Sequence, residues 1–233
     1  GVHFPTADSD LDALNKKATI HHDTLLESEL FLYGQAVILR RIIREGNSTR
    51  LGIKHSFVAR FIKALPYELT DDQALAFEEI KRDLLKTHPM GRLIQADTGT
   101  GKIAVGMMAA LLAVENKYQS AFIVPTDLMA ERRHRAMAPT LEKMGVKVAL
   151  LSSSVRGKER ETALQELRKG DANLLIGTRE AFESDLQFRR LGLVVLEEAH
   201  FGGIQPNLPN KGRRLRPHLL VLTTIPIPTA LAY

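Results

Sequence analysis

The sequence predicts an α/β domain with a mainly parallel sheet, preceded by a helical segment. Three observations lead there. From residue 91 onward short apolar runs alternate with stretches of helical character. The runs AFIV, NLLI, LVVL and LLVL lack polar alternation, as strands buried on both faces require. Before residue 91, apolar residues recur at helical spacing with no strand-like run.

Residues 22–45 read as one helix, with Leu25, Leu26, Leu30, Leu32, Val37, Ile38 and Ile42 at near-helical intervals and a break at Gly46-Asn47-Ser48. A second helix, 54–64, stops at Leu65-Pro66. Thr70 suits the N-cap of a third, 71–86, and Asp71 and Asp72 suit its first turn. The predicted strands are 92–96, 120–124, 147–151, 173–176, 192–197 and 218–223. Helices are predicted between most of them, at 101–115, 127–144, 157–169 and 179–184. Residues 201–217, rich in Gly, Pro and Arg, read as a long exposed loop. These elements divide the chain into a helical linker, 1–64, and an α/β lobe, 65–233.

Composition narrows the function classes. With 44% hydrophobic and 25% charged residues the chain is ordinary globular material, and no run of eighteen apolar residues marks a membrane span. There is no cysteine, which excludes disulfides, thiolate zinc sites and cysteine catalysis. That usage and the lack of a signal-peptide pattern at GVHFPTADSD lead us to expect a cytoplasmic protein. The net charge of +5 is compatible with nucleic acid, and the basic residues cluster at 40–44, at Arg132, Arg133 and Arg135, and at Lys211–His218.

The chemistry is concentrated in LIQADTGTGKI, residues 93–103. An apolar strand, a Gly-Thr-Gly turn, a lysine and a helix form the layout of a phosphate-binding loop, where backbone N–H groups and a helix N-terminus surround an anion. Thr98, Gly99, Thr100, Gly101 and Lys102 are the candidate nucleotide ligands, with Lys102 reaching the outer phosphates. The next position should offer a hydroxyl to Mg²⁺, and it is Ile103. Downstream, LVVLEEAH (193–200) ends a buried strand in two carboxylates. Glu197 is the candidate metal ligand and Glu198 the candidate general base, since adjacent residues on a strand point in different directions. His21 and His22 are sequence neighbours that do not face each other on a helix, so we expect no metal there.

These motifs resemble the first motor domain of the RecG-type branch-migrating DNA helicases of superfamily two. VHFP (2–5) and the helices after it are similar to the linker that precedes that family's motor. FIKALPYELTDDQ (61–73) resembles its adenine-recognition segment and points to Gln73. VPTDLMAE (124–131), SSSVRGKERE (152–161) and LLIGTREA (174–181) resemble its DNA-contact motifs. LTTIPIPTALA (222–232) resembles its coupling motif, and EEAH its Asp-Glu-x-His box, with His200 linking nucleotide and DNA sites. The resemblance implies a recombinase-like P-loop NTPase fold, ATP and Mg²⁺ as cofactors, and forked or branched DNA as partner. By the same resemblance Thr126, Arg132, Gly177, Thr178 and Arg179 would touch nucleic acid; the basic cluster adds Arg213 and Arg214.

The departures from the family pattern sit in the same motifs. Ile103 replaces a threonine, Glu197 an aspartate, Ile225 a threonine and Thr229 an arginine; Phe201-Gly202 stands where the family has Arg-Phe. The family's second motor lobe and upstream junction-binding domain lie outside these residues. We therefore expect a helicase lobe with weakened Mg²⁺ binding and impaired hydrolysis. The competing expectation is a non-catalytic nucleotide- or DNA-binding module that keeps the scaffold alone.

Overall fold

A computed structural model describes residues 12, 16, 47–52, 56–178, 186–198 and 216–224. The predicted helices 22–45 and 179–184 and residues 201–215 of the predicted loop lie outside them. The chain divides into two compact units, Gly1–Arg44 with Ala232 and Glu45–Leu231 with Tyr233, and every element below belongs to the second.

In chain order the elements are α1 (Ser56–Ala64), α2 (Asp71–Leu84), β1 (Gly91–Gln95), α3 (Lys102–Glu115), β2 (Gln119–Val124), α4 (Asp127–Lys143), β3 (Val148–Leu151), α5 (Gly157–Lys169), β4 (Leu174–Thr178), β5 (Leu191–Glu197) and β6 (His218–Thr223). The six strands form one sheet in the order β1-β6-β5-β2-β4-β3, with every pairing parallel. The parallel α/β lobe read from the apolar runs is thus the observed fold. Strands β2, β4, β5 and β6 are buried along their whole length.

Side chains alternate across the sheet with the period of two that a strand imposes. On β5, Leu193 and Val195 join the apolar cluster under α1 to α4, and Val194 and Leu196 join the cluster on the opposite face with Leu167 of α5, Leu186 and Phe188. Helix α3 is apolar all round and almost wholly buried, because sheet lies on one side and α1 and α2 on the other. Gly106 lets it approach: a Cβ there would lie 2.8 Å from Leu222 Cδ1 and 3.2 Å from Val195 Cγ1. Glu115, at the end of α3, accepts from the backbone N–H of Phe57 and, at 3.1 Å, from Ser56 Oγ, placing a carboxylate at the N-terminus of α1. No described helix is long and apolar enough to cross a membrane.

His218 ties the start of β6 to the chain before α1. Its Nδ1 accepts from Met90 N at 3.0 Å, so its proton resides on Nε2, which donates to Thr49 O at 2.8 Å. The ring is fully buried. Burial pulls its proton affinity below the usual histidine value, and the Thr49 carbonyl and the charge of Asp83 oppose this only in part. In the unfolded chain the ring protonates near pH 6.5, but in the folded protein only at lower pH. The unfolded state therefore takes up the proton first, and stability falls as pH drops below about 6.5, by up to ~1.4 kcal/mol per pH unit. Urea midpoints between pH 7.5 and 5.5 should fall, and His218→Gln should flatten that slope. An equal slope in the variant would remove His218 as its source.

Candidate nucleotide site

The carboxyl ends of β1, β5 and β6 are neighbours, which is where parallel α/β sheets bind ligands. β6 lies between the other two, with Gln95 opposite Thr223 and Glu197 opposite Leu222. The loop 96–101 leaves β1 here. Gly99 and Gly101 have φ of 82° and 76°, values that glycine adopts without strain. Gly101 is also crowded: a Cβ there would lie 2.4 Å from Gln73 Nε2 and 3.7 Å from the Tyr67 hydroxyl. Thr98, Gly99 and Thr100 are exposed at the mouth of the loop.

Gln73 uses both ends of its amide. Its Oε1 accepts from Thr70 N at 3.1 Å while its own N–H donates to Thr70 Oγ1, closing a capping box at the start of α2. Its Nε2 donates to Thr100 O at 2.6 Å, which joins α2 to the phosphate loop. Ile62, Lys63 and residues 65–69 outline an open hollow of about 480 Å³.

Lys102 is buried, and its ammonium points back into the loop, donating to Ala96 O at 3.1 Å and Asp97 O at 3.4 Å. It also forms an ion pair with Glu198 Oε1 at 3.2 Å. Glu198 has a φ of 48°, uncommon for a residue with a side chain and typical of positions held by their surroundings. Its N–H donates to Leu222 O at 2.7 Å, and its Oε2 accepts from Thr224 N at 3.0 Å and Thr224 Oγ1 at 3.1 Å. Burial would raise its proton affinity, but the Thr224 donors and the Lys102 ammonium outweigh that and keep it ionised below the usual carboxylate range.

Glu197 turns the other way. It is 5% exposed, and Arg133 of α4 grips both its oxygens, NH2 to Oε1 at 2.7 Å and Nε to Oε2 at 3.2 Å. Ile103, next to Lys102, packs on the apolar cluster around α3.

The candidate nucleic-acid residues divide. Thr126 and Arg132 are exposed; Thr126 Oγ1 caps α4 by accepting from Met129 N at 3.3 Å. Gly177 and Thr178 are buried at the end of β4, Gly177 opposite Ile123 and Leu151. Arg179, His200, Arg213 and Arg214 lie outside the described residues. Two of the predicted DNA-contact motifs are tied together: Asp127 accepts from Ser153 N at 2.9 Å and from its hydroxyl, and Glu131 accepts from Ser154 Oγ at 2.6 Å. The Ser153 donors hold the Asp127 carboxyl below its ordinary range.

The chain belongs to the DEAD/DEAH box helicase family, whose sequence model matches residues 70–223. Among its relatives it is similar to the ATP-dependent DNA helicase RecG of Aquifex aeolicus, 34% identical over 99% of this chain and 29% of that protein. It is likewise similar to the RecG of Bacillus subtilis, 39% identical over 78% of this chain and 27% of that protein. A solved structure of RecG bound to a three-way DNA junction matches 99% of this chain and 34% of its own chain, with a TM-score of 0.71 and 30% identity. The chain therefore spans about a third of the length of the relatives it matches.

A magnesium ion, which the resemblance implies, does not fit the residues present. The ion needs oxygen ligands in near-octahedral geometry. Ile103 offers no oxygen, and both oxygens of Glu197 are engaged by Arg133. Among the described residues no group of three or more His, Cys, Asp or Glu could hold a metal.

Proposed function

We propose that this chain is the first motor lobe of a RecG-type ATP-dependent DNA helicase, binding ATP through residues 98–102 and acting on forked or branched DNA. The observation that carries the reading is the convergence on Lys102: the loop carbonyls, Glu198 and, through Glu198, Thr224 of the coupling segment meet at one ammonium. A polyphosphate drawing Lys102 off Glu198 would change the partners of a carboxylate held by the end of β6, which links nucleotide binding to the coupling segment. The other helicase parts, a second lobe and a junction-binding domain, belong to the longer protein that this reading requires.

Hydrolysis by this lobe is slow in our reading. Glu198, the only candidate base described, is held by Lys102 and Thr224, and Ile103 supplies no metal ligand. A second reading, a non-catalytic nucleotide- or DNA-binding module that keeps the scaffold alone, draws support from the Arg133–Glu197 pair. Calorimetry with ATP and a phosphate-release assay with forked DNA separate the readings. Binding with no turnover above background, with or without DNA, favours the second. Slow turnover that forked DNA stimulates and Lys102→Ala abolishes favours the first. No ATP binding refutes the first and leaves only the DNA-binding form of the second.

DNA contact is assigned to the exposed Thr126 and Arg132, with Arg179, Arg213 and Arg214 by sequence alone. Each phosphate neutralised releases counterions, so affinity should be weak, indifferent to sequence, and fall steeply with salt. Fluorescence anisotropy over a salt series tests this. Charge reversal at Arg132 and at Arg213 with Arg214 should lower both affinity and slope; unchanged binding would remove the assignment.

A further inference from the structure

Two consecutive carboxylates end β5, and each is matched by a cation from elsewhere in the chain. Lys102 faces Glu198 and Arg133 faces Glu197. The two pairs differ in what holds them. Lys102 makes one ion contact at 3.2 Å, beside carbonyls that an incoming phosphate can replace. Arg133 makes a two-pronged contact on a carboxylate that is 5% exposed, and the planar guanidinium fork matches that geometry. Arg133 stands seven residues after the cap of α4, on the helix face that also carries the fully buried Ala130, and its half-buried side chain reaches the end of β5. The position after Lys102, where a phosphate loop offers a metal its hydroxyl, is a hydrocarbon, Ile103.

We propose that Arg133 is a built-in replacement for the divalent cation: it neutralises Glu197, excludes Mg²⁺ from the end of β5, and makes this site bind nucleoside polyphosphates without metal. The proposal rests on the nucleotide reading of the loop but makes its own claim about Arg133. A guanidinium delivered by the same chain neutralises the charge that would attract hydrated Mg²⁺, and the ion, which dehydrates reluctantly, finds no free direct ligand in Glu197. The site is then electrostatically complete before any ion arrives.

The test measures metal and nucleotide separately. Calorimetry with ATP in EDTA and in millimolar Mg²⁺ should give affinities within about threefold for the wild-type chain. In the double variant Arg133→Ala with Ile103→Thr, which frees Glu197 and returns a hydroxyl, Mg²⁺ should tighten ATP by about tenfold or more, equivalent to 1.4 kcal/mol. Water-proton relaxation with Mn²⁺ alone, in the absence of nucleotide, should find no site at β5 in the wild type. It should find one in Arg133→Ala that is lost when Glu197→Gln is added. Where Arg133→Ala unfolds, Arg133→Gln keeps the side-chain bulk without the charge and serves both measurements. A wild-type Mn²⁺ site abolished by Glu197→Gln, or a tenfold Mg²⁺ gain in the wild type, overturns the proposal. So does an Arg133 variant that gains no Mn²⁺ site. Failure of ATP to bind under any condition, together with a Glu197-dependent Mn²⁺ site in the variant, overturns the nucleotide reading and leaves Arg133 as the residue that excludes metal.

Discussion

Lys102→Ala should lower the affinity for ATP about tenfold to a hundredfold if residues 98–102 hold the nucleotide as proposed. The ammonium is the one cation within the loop, and a hydrogen bond to a charged group contributes roughly 1.5–3 kcal/mol, or one to two decades of affinity. The same change removes the Lys102 ammonium from Glu198, 11% exposed at its side chain, so the unliganded fold should also weaken, by about 1–3 kcal/mol. The two effects separate in a thermal melt. ATP at a hundred times its dissociation constant should stabilise the wild type by about 2.7 kcal/mol, whereas the variant should gain little at that concentration. A variant with a lowered melting point but an unchanged ligand-induced shift would show that Lys102 holds Glu198 and does not meet phosphate.

Gly106→Val destabilises the lobe by about 1–3 kcal/mol, the usual cost of forcing extra carbon into a packed core. The backbone of α3 at this point lies against β5 and β6, and the first added atom would already lie 2.8 Å from Leu222 Cδ1. Helix propensity works the other way, favouring valine over glycine, yet by less than the clash costs. Chemical denaturation measures the loss. Adding Leu222→Val removes the clashing methyl, so the double variant should recover part of it, with a coupling of at least ~0.5 kcal/mol. Additive losses would mean that Gly106 matters through some other contact.

Most of the scaffold was legible because burial on both faces writes itself into composition. The runs at 121–124 and 193–196 could hardly be anything but interior strands, and the strands found agree with those read to within a residue or two. Glycine at 99 and 101 was equally readable, since the turn requires positive φ at both. The role of Arg133 was not. It stood in a basic trio that suggests a solvated or DNA-facing surface, and only its spacing from Ala130 carried a sign that it faces inward. Its partner lies 64 residues away, a distance that no local pattern bridges. Thr224 was missed as a ligand of Glu198 for the same reason, although the segment containing it was recognised. Thr178 shows the converse: a motif can name a DNA contact while the strand buries the side chain, here to 1% exposure.

The position of β6 bears on how the site comes into being. Among the described strands β1 pairs with β6 alone, and Met90 and His218, which join at that edge, are 128 residues apart. Among the described strands, the one that delivers the phosphate loop is synthesised first and its partner last. Until His218–Thr223 has been made, β1 has no described strand to lie against, and neither Ala96 nor Glu198 has the β6 carbonyl to which its N–H donates. Closing so long a loop is slow compared with local helix formation. A growing chain would thus carry folded helices and a half-built sheet well before it could hold a nucleotide, and nucleotide capture would mark completion of the sheet.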